Sequence, residues 1–325
     1  MTAHDRRARA RHLGAGGEAS PQPPFFIVGS ARSGTTMLRL MLNAHPEVAV
    51  PPESRFITEM HHSLAFGTGS GTGVDPDRFL GALERHRRFQ TWDLPVAAVA
   101  AEIAELDGAP TYADAIAAAF RAYARAQGKT RWGDKTPRYV EDIPLLAELW
   151  PEARFIHLIR DGRNVALSYA DVSFGPKTVG RAARLWASRV SSGCSAGRAL
   201  GPERYLEVRY EDLVEDAAGQ VKVICGFLDL EFDPGMLDYT ERARGSVLPR
   251  AAVYNPNVMQ PPTQTRAWQT SMPASHVAAF EAVAGELLSD LGYERRFPSP
   301  GIAESLLGRL GAAGLPVGRI RSTAG

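Results

Sequence analysis

The chain has 325 residues, enough to bury the core of one large domain or two small ones, and its 37 Lys and Arg against 36 Asp and Glu leave a net charge of +1. So even a balance argues against a dedicated nucleic-acid binder. Two cysteines, Cys194 and Cys225, form no C-x-x-C and no metal-ligand spacing, no run approaches the roughly 18 apolar residues of a membrane span, and the basic N-terminus lacks the apolar run of a signal peptide; a reduced, cytoplasmic setting fits this pattern.

Residues 1–22 are rich in Arg, Gly and Ala without periodicity and read as a mobile tail. Order begins near Pro24. Phe25-Phe26-Ile27-Val28 is a short apolar run suited to a buried parallel strand, and the residues from Thr36 to Leu42 continue as a helix. Val48–Val50 predicts a second strand, ended by Pro51-Pro52, and residues 66–76 read as a Gly/Thr-rich flexible loop. Residues 95–127 hold two Ala-rich helices separated near Gly108-Ala109-Pro110, with Tyr112, Ile116, Phe120 and Tyr123 at the spacing of a packing face. Arg154–Ile159 and Tyr205–Val208 predict further buried strands, each followed by a helix, and residues 275–291 predict a last amphipathic helix with Gly292 at its C′ position. The alternation implies an α/β fold with a mainly parallel central sheet flanked by helices. Residues 23–297 form the domain, and 298–325 are a C-terminal tail or one short surface helix carrying Ile302, Leu306 and Leu310.

Two segments carry chemistry. Gly29-Ser30-Ala31-Arg32-Ser33-Gly34-Thr35-Thr36 matches the phosphate loop G-x-x-x-x-G-K-[ST] except that Thr35 replaces the lysine. Strand, glycine loop and helix N-terminus follow in the order that aims backbone N–H groups and the helix dipole at an anion. Arg32 adds a fixed positive fork, and Ser33, Thr35 and Thr36 add hydroxyls. In Arg160-Asp161-Gly162-Arg163-Asn164-Val165-Ala166-Leu167-Ser168, the arginine leaves the C-terminal end of a strand and the serine lies about two turns along the next helix. At the ligand-binding edge of a parallel sheet this pair makes a second anion site.

Together these residues resemble the sulfotransferases that use 3′-phosphoadenylyl sulfate (PAPS), and the pattern is similar to the broad bacterial group that also resembles protein-tyrosine sulfotransferases. The two motifs stand about 125 residues apart in the family's order, and the likeness runs from roughly Pro24 to Tyr293, taking in Asp134-Lys135-Thr136-Pro137, Arg209-Tyr210-Glu211-Asp212-Leu213 and Trp268. The resemblance implies the P-loop-type sulfotransferase fold. It also implies that Arg32, Ser33, Gly34, Thr35 and Thr36 bind the donor's 5′-phosphosulfate, while Arg160 and Ser168 take its 3′-phosphate. The donor's 5′ end carries one phosphate and a sulfuryl group, so no β/γ pair calls for the missing lysine, and no metal is required.

In relatives the glutamate matching Glu53, within Glu53-Ser54-Arg55-Phe56, is the base that takes the acceptor's proton; His61 and His62 are rival bases. Lys135 matches a lysine that contacts the donor's bridging oxygen, a role Arg32 shares. Relatives often carry a second arginine just beyond the serine; Tyr169–Ser173 has none here, and Arg266 is the candidate substitute. Trp268 stands near the adenine or in the core. The implied reaction moves the sulfuryl group to the hydroxyl or amine of a small molecule or peptide, with residues 56–128 and 171–190 (Phe66, Phe89, Trp92, Lys177, Arg181, Arg184) as walls of the acceptor site. A P-loop kinase or nucleotide hydrolase is disfavoured by Thr35 and by the Arg160/Ser168 pair. A non-catalytic nucleotide-binding interaction module is disfavoured by Glu53 and Lys135. The Ala/Arg/Gly-rich composition matches a GC-rich bacterial genome.

Overall fold

The computed structural model describes residues 22–64, 73–240 and 267–320. The Arg-rich residues 1–21, most of the Gly/Thr-rich loop, and Phe66 and Arg266 lie outside the described residues.

The strands β1 (Phe25–Gly29), β2 (Val48–Ala49), β3 (Arg131–Lys135), β4 (Arg154–Ile159) and β5 (Tyr205–Arg209) form one sheet in the order β2-β3-β1-β4-β5, every pairing parallel. Between β1 and β3 the chain forms α1 (Thr35–Asn43), α2 (Phe56–Leu64), α3 (Pro76–Arg85), α4 (Val96–Ala104) and α5 (Tyr112–Ala126). It then adds α6 (Ile143–Leu149), α7 (Gly162–Ser168), α8 (Val179–Leu200), α9 (Tyr210–Glu215) and α10 (Ala217–Phe227). The short α11 (Trp268–Ser271), α12 (Ala274–Asp290) and α13 (Ile302–Ala312) complete it.

The apolar run of β1 is continuous because both its faces are covered. Phe25 and Ile27 pack with α1 and α10 through Leu38, Leu42, Val221 and Ile224, whereas Phe26 and Val28 face the other way, toward Phe120, Tyr139 and Phe155. Tyr112, Ile116, Phe120 and Tyr123 of α5 are all buried in that second core. A third cluster joins Val165 and Leu167 of α7 to Trp186 of α8 and Phe280 of α12. The stretch after residue 298 is tied to this cluster: Thr178 bridges Arg319, and Thr178 Oγ1 donates to the Gly311 carbonyl at 3.3 Å, while Ile302 stays 91 % exposed.

β3 lies between β2 and β1, and the sequence reading placed no strand there. Arg-Trp-Gly-Asp-Lys lacks an apolar run, yet all five residues are buried. Gly133 makes this possible: a Cβ there would stand 2.3 Å from the Phe25 ring of the neighbouring strand. The 3₁₀ turn Phe89–Trp92 is also interior; Phe89 and Trp92 pack on Phe56 beneath the Glu53 loop. No helix among the described residues is long and apolar enough to cross a membrane.

Candidate active site

In a parallel sheet every strand ends on the same edge, where backbone groups and helix N-termini converge on ligands. Here β1 delivers the glycine loop, β2 leads to Glu53, β3 ends at Lys135, β4 delivers Arg160, and β5 leads into Tyr210.

The loop is shaped by its backbone. Gly34 has φ +91° and ψ 5° and is the N-cap of α1; a Cβ on it would lie 2.4 Å from the Tyr210 ring. Arg32 also has a positive φ, +75°, in a residue type that rarely adopts it, which is strain of the kind concentrated at functional sites. No side chain caps α1 and its first turn contains no acid, so the positive end of its dipole faces outward uncompensated. Ser33 Oγ is buried without a hydrogen-bond partner. Thr35, at the lysine position of the motif, is 3 % exposed and turned inward.

The lysine that the loop lacks has a counterpart on β3. Lys135, in register with Ile27, places Nζ 3.5 Å from Thr36 Oγ1 and 2.8 Å from Glu53 Oε1. Arg55 Nε stands 3.6 Å from the other oxygen of Glu53. Burial pushes the Glu53 carboxyl upward, but the Lys135 ammonium, then Arg55 and Arg88, outweigh it and hold the group below its ordinary value. Glu53 is therefore a carboxylate, able to accept a proton, and its side chain keeps 24 % exposure against 5 % for Lys135. Beneath this pair, buried Asp134 is raised to about 7, chiefly by desolvation, with Ser54 and Thr136 beside it opposing the shift. The loop carrying Glu53 is pinned from below: Ser54 N–H donates to Thr136 Oγ1 at 3.2 Å, and Tyr139 Oη meets Ser54 Oγ at 3.0 Å.

The second motif closes on the first. Arg32 Nε donates to Ser168 Oγ at 2.8 Å, and Arg160 Nη1 donates to the Arg32 carbonyl at 3.3 Å. The Arg160 guanidinium lies 4.2 Å from the centroid of the Tyr210 ring, which also backs Gly34. One Tyr210 ring thus backs both the glycine loop and Arg160, which its position as the first residue of a helix did not disclose. Glu211 ties the corner together: it accepts the Asp161 N–H at 3.1 Å and the Tyr293 hydroxyl at 3.0 Å.

Arg163, in the same motif as Arg160, has a different job. It is 1 % exposed, chelates Asp161, bonds Glu281 Oε1 at 2.6 Å and the Glu294 carbonyl at 2.9 Å, and lies 3.7 Å over the Trp268 ring. Trp268 is buried, and its backbone N–H donates to Asn164 Oδ1 at 3.0 Å, so it supports the core side of α7. Of the rival bases, His61 sits on α2 with its ring 5.2 Å from that of Tyr112; His62 is on the same helix.

The family model for the sulfotransferase family matches residues 23–234. Nodulation protein NoeE of Sinorhizobium fredii is 28 % identical over 320 residues, covering 86 % of this chain and 68 % of that protein. Protein-tyrosine sulfotransferase A of Caenorhabditis elegans is 25 % identical, covering 84 % of this chain and 67 % of that protein. Among solved structures, the sulfotransferase domain of the Synechococcus olefin synthase aligns with a TM-score of 0.55 at 25 % identity over 86 % of this chain and 98 % of that domain. The sulfotransferase domain from the curacin biosynthetic pathway gives 0.57 at 23 % identity over 85 % and 99 %. The glycine loop, the arginine–serine pair behind it and a family match over residues 23–234 lead to one assignment: the chain belongs to the sulfotransferase family.

Proposed function

We propose that this sulfotransferase uses PAPS as donor, and that Glu53 and Lys135 flank the transferred sulfuryl group. The observation that carries the reading is the contact of Lys135 Nζ with both Glu53 Oε1 (2.8 Å) and Thr36 Oγ1 (3.5 Å), which brings a base and a cation to the open end of the phosphate loop. The uncapped α1 N-terminus, the partnerless Ser33 hydroxyl and Thr36 suit the donor's 5′-phosphosulfate. Arg160, Ser168 and the Arg32 fork between them suit its 3′-phosphate. The Arg32–Ser168 contact supplies a second cation beside the serine. Trp268 serves this site from below by seating α7.

The donor supplies an activated sulfuryl group. As the acceptor oxygen bonds to sulfur, Glu53 takes the acceptor's proton; as the bond from sulfur to the bridging oxygen breaks, its electron pair stays on that oxygen, and Lys135 Nζ and Arg32 stabilise the charge left on the 5′-phosphate. Both roles favour the charge states the site enforces: an ionised carboxylate and an adjacent cation. The acceptor is a hydroxyl or amine of a small molecule or peptide, and the enzyme works in the bacterial cytoplasm.

The test is incubation with sulfur-labelled PAPS and an acceptor panel, following 3′,5′-ADP release. Donor-dependent release with label in the acceptor supports the reading. Tighter binding of magnesium–ATP than of 3′,5′-ADP contradicts it.

A further inference from the structure

Away from the catalytic edge, β4, β5 and α8 enclose a cluster that sulfuryl transfer does not use. His157 on β4 and Glu207 on the edge strand β5 are register partners, so their side chains share a face, and Tyr205 lies two residues earlier on that same face. Helix α8 crosses directly above. Gly193 and Gly197 let it approach: a Cβ on Gly193 would stand 2.4 Å from the His157 ring, and one on Gly197 would stand 2.1 Å from the Tyr205 ring. Cys194, next to the first of these glycines, is thereby lowered onto the pair. A donor atom from each of His157, Cys194 and Glu207 lies within 4.8 Å of the others.

Three features separate this cluster from ordinary packing. His157 is wholly buried; its Nδ1 meets Tyr205 Oη at 2.5 Å, and its Nε2 has no hydrogen-bond partner. Tyr205 Oη in turn donates to Glu207 Oε1 at 3.2 Å, so sulfur, imidazole, phenol and carboxylate converge on one point. An open cleft of about 500 Å³, lined by Cys194, Arg198, Tyr205 and Glu207, gives the cluster a path to solvent. A bound cation would let thiolate and carboxylate stand together.

We propose that His157, Cys194 and Glu207 bind a divalent cation of the zinc class, at a site distinct from the glycine loop. One nitrogen, one sulfur and one carboxylate oxygen form a mixed donor set of the kind zinc accepts. Bond lengths of about 2.0–2.3 Å place tetrahedral ligands about 3.3–3.8 Å apart, so closure from within 4.8 Å takes side-chain rotation of the half-buried Cys194 and the exposed Glu207, with the Tyr205 hydroxyl giving up the His157 Nδ1 that it meets at 2.5 Å. Water from the cleft completes the set. Binding releases the thiol proton to solvent and leaves the oxidation state of sulfur unchanged.

The experiment titrates the chelator-treated full chain with Zn²⁺ by calorimetry and with Co²⁺ by absorption. Cobalt reports directly on sulfur through its thiolate charge-transfer band. The proposal expects one equivalent and a charge-transfer band. Cys194→Ala should abolish the band, and Glu207→Gln should weaken binding by a factor of about 10–100. Cys225→Ala should change neither, since Cys225 lies in another core beside Met236. Both Cys194 and Glu207 have solvent access, so their variants should keep the wild-type circular dichroism. Absence of the band in the wild-type chain, or its persistence in Cys194→Ala, would overturn the proposal, as would binding that Glu207→Gln leaves at wild-type strength.

Discussion

Replacing Lys135 by alanine should separate two things that this one ammonium does. Its Nζ is 2.8 Å from Glu53 and 3.5 Å from Thr36, where the proposed mechanism puts the growing charge of the leaving phosphate. Loss of one preorganised donor of this kind costs roughly 10²–10³ in kcat, or about 2.7–4 kcal/mol of transition-state stabilisation. The second effect falls on Glu53. Its carboxyl is held below the ordinary 4.5 because Lys135, Arg55 and Arg88 together outweigh burial. With the nearest of these cations gone, Arg55 at 3.6 Å and 40 % exposed offers only a screened remainder, and burial prevails. The carboxyl then titrates higher, so the acid limb of the rate profile moves to higher pH.

The same linkage sets the pattern of stability. A carboxyl depressed on folding adds stability above its unfolded value of 4.5, and that contribution is lost as pH falls through the lower folded value. The deficit of Lys135→Ala against wild type should therefore be greatest near neutrality and shrink in acid. Its size should be about 1–3 kcal/mol, between exposed and fully buried ion pairs. Steady-state 3′,5′-ADP release across pH, paired with thermal melts, measures both effects. A kcat within about threefold of wild type, with an unmoved acid limb, would refute the assignment of Lys135 to the reacting centre.

Glu53→Gln should abolish transfer while leaving 3′,5′-ADP binding intact by calorimetry; normal turnover would remove Glu53 as the base. Gly34→Ala should weaken nucleotide binding by at least tenfold, since its Cβ would strike the Tyr210 ring at 2.4 Å from a backbone at φ +91°; unchanged affinity would refute the close-approach reading. Arg163→Ala should destabilise the fold by about 3–5 kcal/mol in urea titration, because Asp161 and Glu281 would be left buried without their cation. Arg160→Ala should chiefly raise the donor KM; equal stability losses in the two variants would show that both arginines are structural. Asp134 sits near 7 against an unfolded 3.8, so folding is opposed increasingly as pH rises between those values. Asp134→Asn should flatten that decline in melts, and a slope matching wild type would contradict the buried, desolvated carboxyl.

Strands and loops that bind through backbone were readable in advance, because their cause is local. Phe25–Val28 is apolar throughout since both sides are covered, and the spacing of Gly29 and Gly34 follows from a turn that must bring amides to an anion. β3 was not readable. Arg131, Asp134 and Lys135 break every apolar pattern, and their burial depends on partners distant in sequence: Arg131 reaches the Leu228 carbonyl, Lys135 reaches Glu53, and Gly133 yields to Phe25. Within the site, the sequence named Thr36, Glu53 and Lys135 separately, but only the sheet order, with β3 between β2 and β1, brings them into contact. Tyr210 stands in the sequence only as part of the Arg209–Leu213 segment, and its role is hidden for the same reason. Its ring acts under Gly34 and Arg160, two residues it meets only in three dimensions.

The direct test of the two-anion site is the calorimetric affinity of the wild-type chain for 3′,5′-ADP, 5′-AMP and magnesium–ATP in one buffer, repeated with Arg160→Ala. An arginine built for a 3′-phosphate is left unpaired by a nucleotide that lacks one, at a cost of about 1–3 kcal/mol or more. The account predicts that 3′,5′-ADP binds at least tenfold tighter than 5′-AMP or magnesium–ATP, and that Arg160→Ala erases the preference. Equal affinity for 5′-AMP, or a preference for magnesium–ATP, would contradict it.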